Sequence, residues 1–236
     1  MVLKRIERPS PNHDARAESP VDILVMHYTG MRTAEEALAR LCDPEAKVSA
    51  HYTVDRDGTV YVHVPEERRA RHAGVSWWAG VRDVNSRSVG IEIVNPGHEL
   101  GYLPFAEAQI EAVVALSRSI LSRHPIPPSR VVGHSDVAPN RKQDPGELFP
   151  WARLAGNGIG LWPQSLPAPP PETPLNPNEL NAFAAKLRQY GYGVPPDVEW
   201  PLRDVVAAFQ RHFRPARIDG IADTECATIL DALLET

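Results

Sequence analysis

The chain has 236 residues, of which 42% are hydrophobic and 23% charged, and its net charge is −5 at neutral pH. That composition suits a globular protein with room for one medium domain and one small one. It excludes several classes: no long Lys/Arg cluster marks a nucleic-acid partner, no stretch approaches the length of a membrane span, and two cysteines, Cys42 and Cys226, build neither a disulfide framework nor a structural zinc site alone.

The first nine residues carry charge but no apolar core of secretory length, so a cytoplasmic location is expected. Periplasm or outer membrane is the expectation if an export signal has been removed. Residues 21–27 form a near-continuous apolar run, a buried strand. Residues 33–41 have helical spacing, with Thr33 and Glu36 placed as a capping box. Two β-rich runs, 51–54 and 59–64, flank Asp55-Arg56-Asp57-Gly58 and predict a hairpin. Residues 88–95 predict another strand. Residues 105–123 predict a long amphipathic helix with Ile110, Val113, Val114, Leu116, Ile120 and Leu121 on its core side. Residues 130–132 predict a short strand.

Proline then crowds the chain from Trp162 to Pro174, which predicts a stiff spacer. Beyond it the pattern is helical over 177–190, 201–212 and 224–234. Asn176 or Asn178 and Asp223 are suited to N-cap, and Asp219-Gly220 marks a turn. The predicted fold class is α/β, a central mixed sheet flanked by helices, followed by a small all-α three-helix domain. The predicted boundaries are 1–163 for the body, 164–175 for the Pro-rich linker and 176–236 for the tail.

The chemistry concentrates in Gly133-His134-Ser135-Asp136-Val137-Ala138-Pro139-Asn140-Arg141-Lys142-Gln143-Asp144-Pro145-Gly146. Its prolines predict an irregular loop holding an imidazole, a lysine and a carboxylate. A second imidazole, His27, ends the apolar strand far upstream. Two histidines and a carboxylate make a three-ligand zinc set with one position left for water, the layout of a hydrolytic site. Each has a plainer reading: a core histidine for His27 and His134, a turn-forming residue for Asp144. His51 and His63 in the hairpin are alternative ligands. Glu92 is the lone charge in an apolar strand, and its face neighbours Gly90 and Val94 are not solvated. Such a carboxylate has a raised pKa and needs a partner. Lys142 stands where it can balance negative charge near a metal.

The segments His27-Tyr28-Thr29-Gly30, Ser49-Ala50-His51-Tyr52, Arg71-His72-Ala73-Gly74, Val89-Gly90-Ile91-Glu92 and His134 to Gly146 together resemble the zinc N-acetylmuramoyl-L-alanine amidases of the AmpD/AmiD branch. That family shares its fold with phage T7 lysozyme and peptidoglycan-recognition proteins. The resemblance covers roughly residues 8–162. It implies Zn2+ held by His27, His134 and Asp144, with Glu92 as the catalytic acid/base and Lys142 as transition-state stabiliser. The tyrosine that T7-type relatives place before the second-segment histidine is Ala50 here, which implies the glutamate-using branch. In the tail, Phe209-Gln210 and Asp219-Gly220-Ile221 resemble a three-helix peptidoglycan-binding module.

The implied reaction is hydrolysis of the amide between the lactyl group of N-acetylmuramic acid and L-alanine. For that substrate Trp77 and Trp78 are candidates for a sugar-stacking floor, although at least one is expected in the core, and His72, Asn85 and Arg141 are candidate polar contacts to the muropeptide. The implied partners are peptidoglycan fragments, including 1,6-anhydro-muropeptides, in cell-wall recycling. The competing expectations are an amidase acting on intact wall in the envelope and a non-catalytic recognition protein.

Overall fold

A computed structural model describes residues 3–16, 20–163 and 173–235. Most of the predicted spacer, 164–172, lies outside them. Eight strands are described: β1 (Arg5–Glu7), β2 (His13–Ala15), β3 (Ile23–Tyr28), β4 (Tyr52–Val54), β5 (Val60–Val62), β6 (Arg68–Ala70), β7 (Ser88–Ile93) and β8 (Val131–Gly133). The helices are α1 (Ala34–Cys42), α2 (Val84–Arg87), α3 (Gly97–Leu100), α4 (Glu107–Leu121), α5 (His134–Val137), α6 (Trp151–Ala155), α7 (Pro177–Tyr190), α8 (Leu202–Phe213) and α9 (Thr224–Leu234).

Six strands form one mixed sheet in the order β1-β5-β4-β7-β3-β8. Only the β4–β5 hairpin pairs antiparallel within it. β2 and β6 make a separate antiparallel pair. The central strands β3 and β7 are apolar runs because both faces of the sheet are covered. One face carries Leu24, Met26, Val89, Ile91 and Ile93, which pack with Ile110, Val113, Leu116 and Ile120 of α4. Each such side chain contributes roughly 1.5–3 kcal/mol when fully buried. The other face carries Ile23, Val25 and Val132, and on it lie His27 and Glu92, two residues further along the same alternation.

Local signals explain the ends of several elements. Thr33 caps α1 by accepting the Glu36 N–H at 3.1 Å, but the Glu36 carboxylate reaches the Arg32 N–H at 3.1 Å, so the predicted box closes one residue early. Asn176 and Glu179 form a reciprocal box at α7, and Asp223 caps α9 through the Cys226 N–H. The segment after Gly133 departs from the predicted irregular loop. Residues 134–137 close one helical turn, with the Ala138 N–H bonded to the His134 carbonyl at 3.0 Å, before Pro139 stops it.

The helical tail lies against the body. Val25, Trp78, Val132 and Val137 share one apolar cluster with Phe183, Leu187, Tyr192, Val206 and Phe209. The Phe209-Gln210 and Asp219-Gly220-Ile221 pieces are internal to the tail. Gln210 is fully buried; its amide donates to Asp219 Oδ1 at 3.0 Å and the Ile221 carbonyl at 2.9 Å. Its carbonyl accepts the N–H groups of Asp219 and Gly220 at 3.0 and 2.8 Å. The motif therefore clamps a turn, which accounts for its residues without a ligand. Among the described residues no helix is long and apolar enough to cross a membrane.

Candidate metal centre

The sheet register builds the site. His27 on β3 is the partner of Glu92 on β7, and Met26 is the partner of Gly133 on β8. One step beyond Gly133, His134 therefore arrives beside His27. The loop after α5 returns Asp144 to the same point, tied by the Ser135 N–H to the Asp144 carbonyl at 2.9 Å. His27 Nδ1 lies 3.0 Å from His134 Nδ1 and 3.1 Å from Asp144 Oδ2, and His134 Nδ1 lies 3.0 Å from that same oxygen. Ligands held by a tetrahedral cation at ~2.0–2.1 Å stand about 3.3 Å apart, so this triangle fits one. Among the described residues, these three are the set of His, Cys, Asp and Glu that could hold a metal ion.

Hydrogen bonds behind the triangle aim its lone pairs inward. Ser88 Oγ donates to the Val84 carbonyl at 2.7 Å, so it can only accept from His72 Nε2, 3.1 Å away. His72 Nδ1 is then the acceptor, and His27 Nε2, at 3.0 Å, must be the donor. That leaves His27 Nδ1 unprotonated, the ligand form. His134 Nε2 faces the Ala73 carbonyl at 3.1 Å and must donate, which frees His134 Nδ1 in the same way. Asn85 Oδ1 holds this two-residue support by accepting the His72 and Ala73 N–H groups at 3.0 and 2.8 Å.

The electrostatics agree. Burial, then the His134 imidazole, lower His27 to about 4, so its ring is neutral at pH 7. Burial and His27 hold His72 well below the usual histidine range. For Asp144, burial acts upward, and His134 and His27 lower it far below its usual range only in their proton-donating form; with both Nδ1 atoms unprotonated, a bound cation is what would keep this carboxyl ionised.

Two corners of the triangle, His134 and Asp144, line a cleft of about 520 Å³, a size that suits a small ligand. Glu92 and Lys142 line it too. Glu92 Oε2 is enclosed without a hydrogen-bond partner. Burial, then the Asp144 carboxylate, raise the Glu92 acid well above its usual range, and Lys142 opposes them. An enclosed, partnerless carboxylate oxygen beside three converging ligand atoms is itself a sign of a group that works on water or a cation.

Other sequence-predicted residues fall elsewhere. Trp78 is 1% exposed and its indole N–H bonds the Ser129 carbonyl, so it is core and not a sugar floor. Trp77 packs against the same cluster with Arg82 4.7 Å over its ring, and it does not line the cleft. Asn85 is buried in the support described above, away from the cleft. His72 reaches the cleft lining, but both ring nitrogens are committed to His27 and Ser88. Arg141 lines the cleft while its guanidinium bonds the Val75 carbonyl at 2.6 Å. The alternative ligands are also displaced. His51 bonds the Gly90 N–H and the Arg68 carbonyl, and His63 bonds the Arg8 carbonyl and Thr53 Oγ1. Sequence reasoning missed Arg40, Arg71 and His98 as lining residues. His98 lies in α3, five residues beyond the end of β7, and a polar ring following Pro96-Gly97 past the carboxyl end of a central strand was the available signal.

Two imidazoles just at the carboxyl ends of parallel strands, a carboxylate on the loop that follows and a glutamate beside them fit the class of metal-dependent hydrolases. The chain belongs to the N-acetylmuramoyl-L-alanine amidase family, whose sequence profile matches residues 17–147. AmiD of Escherichia coli strain K12 is 40% identical over 241 residues, which cover 94% of this chain and 85% of AmiD. The structure of E. coli AmiD in complex with anhydro-N-acetylmuramic acid-L-Ala-D-gamma-Glu-L-Lys matches with a TM-score of 0.83, covering 93% of this chain and 90% of that one. AmpDh3 of Pseudomonas aeruginosa, in complex with anhydromuramic pentapeptide, matches at 33% identity and a TM-score of 0.79, covering 94% of this chain and 95% of that one. The likeness to the 1,6-anhydro-N-acetylmuramyl-L-alanine amidase AmpD of E. coli strain K12 is shorter: 35% over 165 residues, 62% of this chain and 87% of AmpD.

Proposed function

We propose that this chain is a zinc enzyme that hydrolyses the lactyl–L-alanine amide of soluble muropeptides, 1,6-anhydro forms included, in peptidoglycan recycling. The observation that carries the reading is the convergence of His27 Nδ1, His134 Nδ1 and Asp144 Oδ2 within 3.1 Å of one another, beside the enclosed Glu92. Imidazole and carboxylate donors in a three-plus-open set suit zinc. The relatives solved with anhydromuropeptides support the substrate class. The division into an amidase unit over 1–163 and a helical unit over 176–236, and residence in the cytoplasm, belong to the same proposal. Recovery of the native protein in the envelope fraction of its own cells would count against the location.

Zinc at this site supplies Lewis acidity, polarising the amide carbonyl and making water a stronger acid. The residues do the rest. Glu92 takes a proton from the attacking water as its oxygen adds to the carbonyl carbon, then delivers that proton to the amine nitrogen as the tetrahedral adduct collapses and the C–N bond breaks. Lys142 balances the charge on the carbonyl oxygen. The Ser88–His72–His27 relay and the Ala73 carbonyl hold the two imidazoles in the ligating tautomer.

The test is the full chain with chelator and zinc add-back, given soluble anhydro-muropeptides and intact sacculi, with products identified by mass. Free L-alanine-terminated peptide from the soluble substrate, lost with chelator and restored by zinc, is the expected result. A second reading, action on intact wall, rests on the tail, whose Phe209-Gln210 and Asp219-Gly220-Ile221 pieces resemble a peptidoglycan-binding module. Faster release from sacculi than from soluble fragments would select it.

A further inference from the structure

Asp136 is fully buried and stands two residues beyond His134, inside the loop that delivers both His134 and Asp144. Its Oδ2 accepts the Gly133 N–H at 2.6 Å and the His212 Nδ1–H at 2.7 Å, and its Oδ1 accepts the Tyr192 hydroxyl at 2.7 Å. Only the first donor belongs to the loop. Tyr192 follows α7 and His212 lies on α8, so two of the three hydrogen bonds on this carboxylate come from the helical tail. A buried carboxylate needs such donors to stay where it is.

The two tail donors are themselves fixed. His212 is buried and stacks on Trp151 with ring centroids 3.8 Å apart. Tyr192 is buried with its ring edge-on to Trp78 at 4.8 Å. The loop passes their constraint to the ligands over short covalent and hydrogen-bonded paths, through His134 two residues back and through the Ser135–Asp144 bond of 2.9 Å. A second line runs from the same helix. Arg211 Nε lies 3.9 Å from Glu147, which pairs at 3.0 Å with His98, which pairs at 3.0 Å with Tyr28 in the cleft wall.

We infer that the helical tail is a positioning element for the metal centre: Tyr192 and His212 lock the Asp136 carboxylate, and with it the His134–Asp144 loop, into ligating shape. Both are positioning residues, since they bond Asp136 rather than the ligand triangle. The inference rests on His27, His134 and Asp144 being the metal ligands. It gives the tail a role that requires no contact with glycan.

The experiment uses the full chain as wild type, Tyr192→Phe, His212→Leu and His212→Asn. Tyr192→Phe removes one hydroxyl and keeps the packed ring, so it is the variant that folds most securely. Asparagine at 212 can restore an N–H where the imidazole Nδ1–H was. The readouts are the Zn2+ dissociation constant from competition with a fluorescent chelator, the electronic spectrum of the Co2+-loaded protein, and kcat and KM on an anhydro-muropeptide. Tyr192→Phe and His212→Leu are expected to weaken Zn2+ binding by roughly 10-fold, the lower end of what losing a direct hydrogen-bond partner of a ligand costs, since both act through Asp136. They shift the Co2+ bands and lower kcat with KM little changed, and His212→Asn recovers most of the affinity. Wild-type Zn2+ affinity and Co2+ spectrum in Tyr192→Phe and His212→Leu, whatever their melting temperatures, overturn the inference. A wild-type chain that binds no Zn2+ removes the ligand assignment and this inference together. A wild-type chain that binds Zn2+ without turnover removes the amidase reading alone, and the affinities still decide this one.

Discussion

His27 and Glu92 are direct partners in the parallel register of β3 and β7. Partner residues in a parallel pair share a face, so this pairing sets a candidate metal-ligating imidazole beside the proposed proton carrier by backbone alone. A one-residue slip would turn Glu92 into the apolar layer of Leu24, Met26 and α4. The site is therefore held by the same hydrophobic alternation that holds the sheet.

Because Glu92 is beside the triangle and not in it, Glu92→Gln is expected to keep one zinc per chain and lose turnover by ~10²–10⁴-fold, the range for a positioned acid/base. Metal content by elemental analysis and kcat on an anhydro-muropeptide check this together. Near-normal kcat removes Glu92 from the mechanism.

Lys142 lines the same cleft. Lys142→Ala is expected to lower kcat about 100-fold or more, as loss of an oxyanion partner does, with zinc retained. A change confined to KM would mean that the ammonium holds substrate in the ground state instead.

The frame of this site is legible in the sequence because its frame is periodic. The runs that become β3, β7 and α4 are apolar with clear alternation or helical spacing, and Asp-Gly turns and Asn or Asp caps mark where elements end. The strands β1, β2 and β6 are short and polar, so their pairing comes from neighbours and not from pattern. Polarity also misleads around the centre. Asn85 and His72 read as substrate contacts, yet they point inward to support His27 and His134, and sequence spacing does not say which way a polar side chain turns. Asp136 and His212 are 76 residues apart, and no local signal joins them.

Trp78 gives a sharp contrast with the sugar-floor reading. It is buried among Tyr192, Val132 and Val137, so Trp78→Ala is expected to cost about 3–5 kcal/mol in unfolding free energy. Trp77→Ala, at the margin of that cluster, is expected to cost less. Denaturant unfolding measures both. A Trp78→Ala variant with wild-type stability and a raised KM would return this residue to the substrate.

Glu66 supplies a pH dependence remote from the metal. Its carboxylate accepts from Tyr52 at 2.7 Å, Arg123 at 2.7 Å and His124 at 2.7 Å, joining the hairpin region to the end of α4. Burial acts to raise it, but the Arg123, Tyr52 and His124 hydrogen bonds prevail and lower it from 4.5 to about 2. A carboxyl lowered by folding contributes stability above its unfolded pKa and loses it as pH falls through the folded value. Glu66→Gln is therefore expected to be less stable than wild type by about 2 kcal/mol at pH 7. The gap should close as pH falls from 4.5 towards 2, measured as paired denaturant curves. A gap independent of pH would assign the loss to shape and not to charge.

Gly90 is the residue where sheet and metal support meet. It pairs with Val25 in the register, and a Cβ placed there would fall 2.6 Å from the His72 ring. Neither can yield easily: the strand is central, and His72 is bonded on both sides to His27 and Ser88. Gly90→Ala is expected to destabilise the fold by ~1–3 kcal/mol through overpacking. It should also weaken zinc roughly 10–100-fold by pushing His72 off His27 Nε2. Pairing the variant with His72→Ala separates the two effects. If the His72 ring is the obstacle, the double variant regains fold stability relative to Gly90→Ala alone, while zinc affinity stays low because the His27 tautomer has lost its support. Recovery of both in the double variant would show that His72 holds nothing the metal needs.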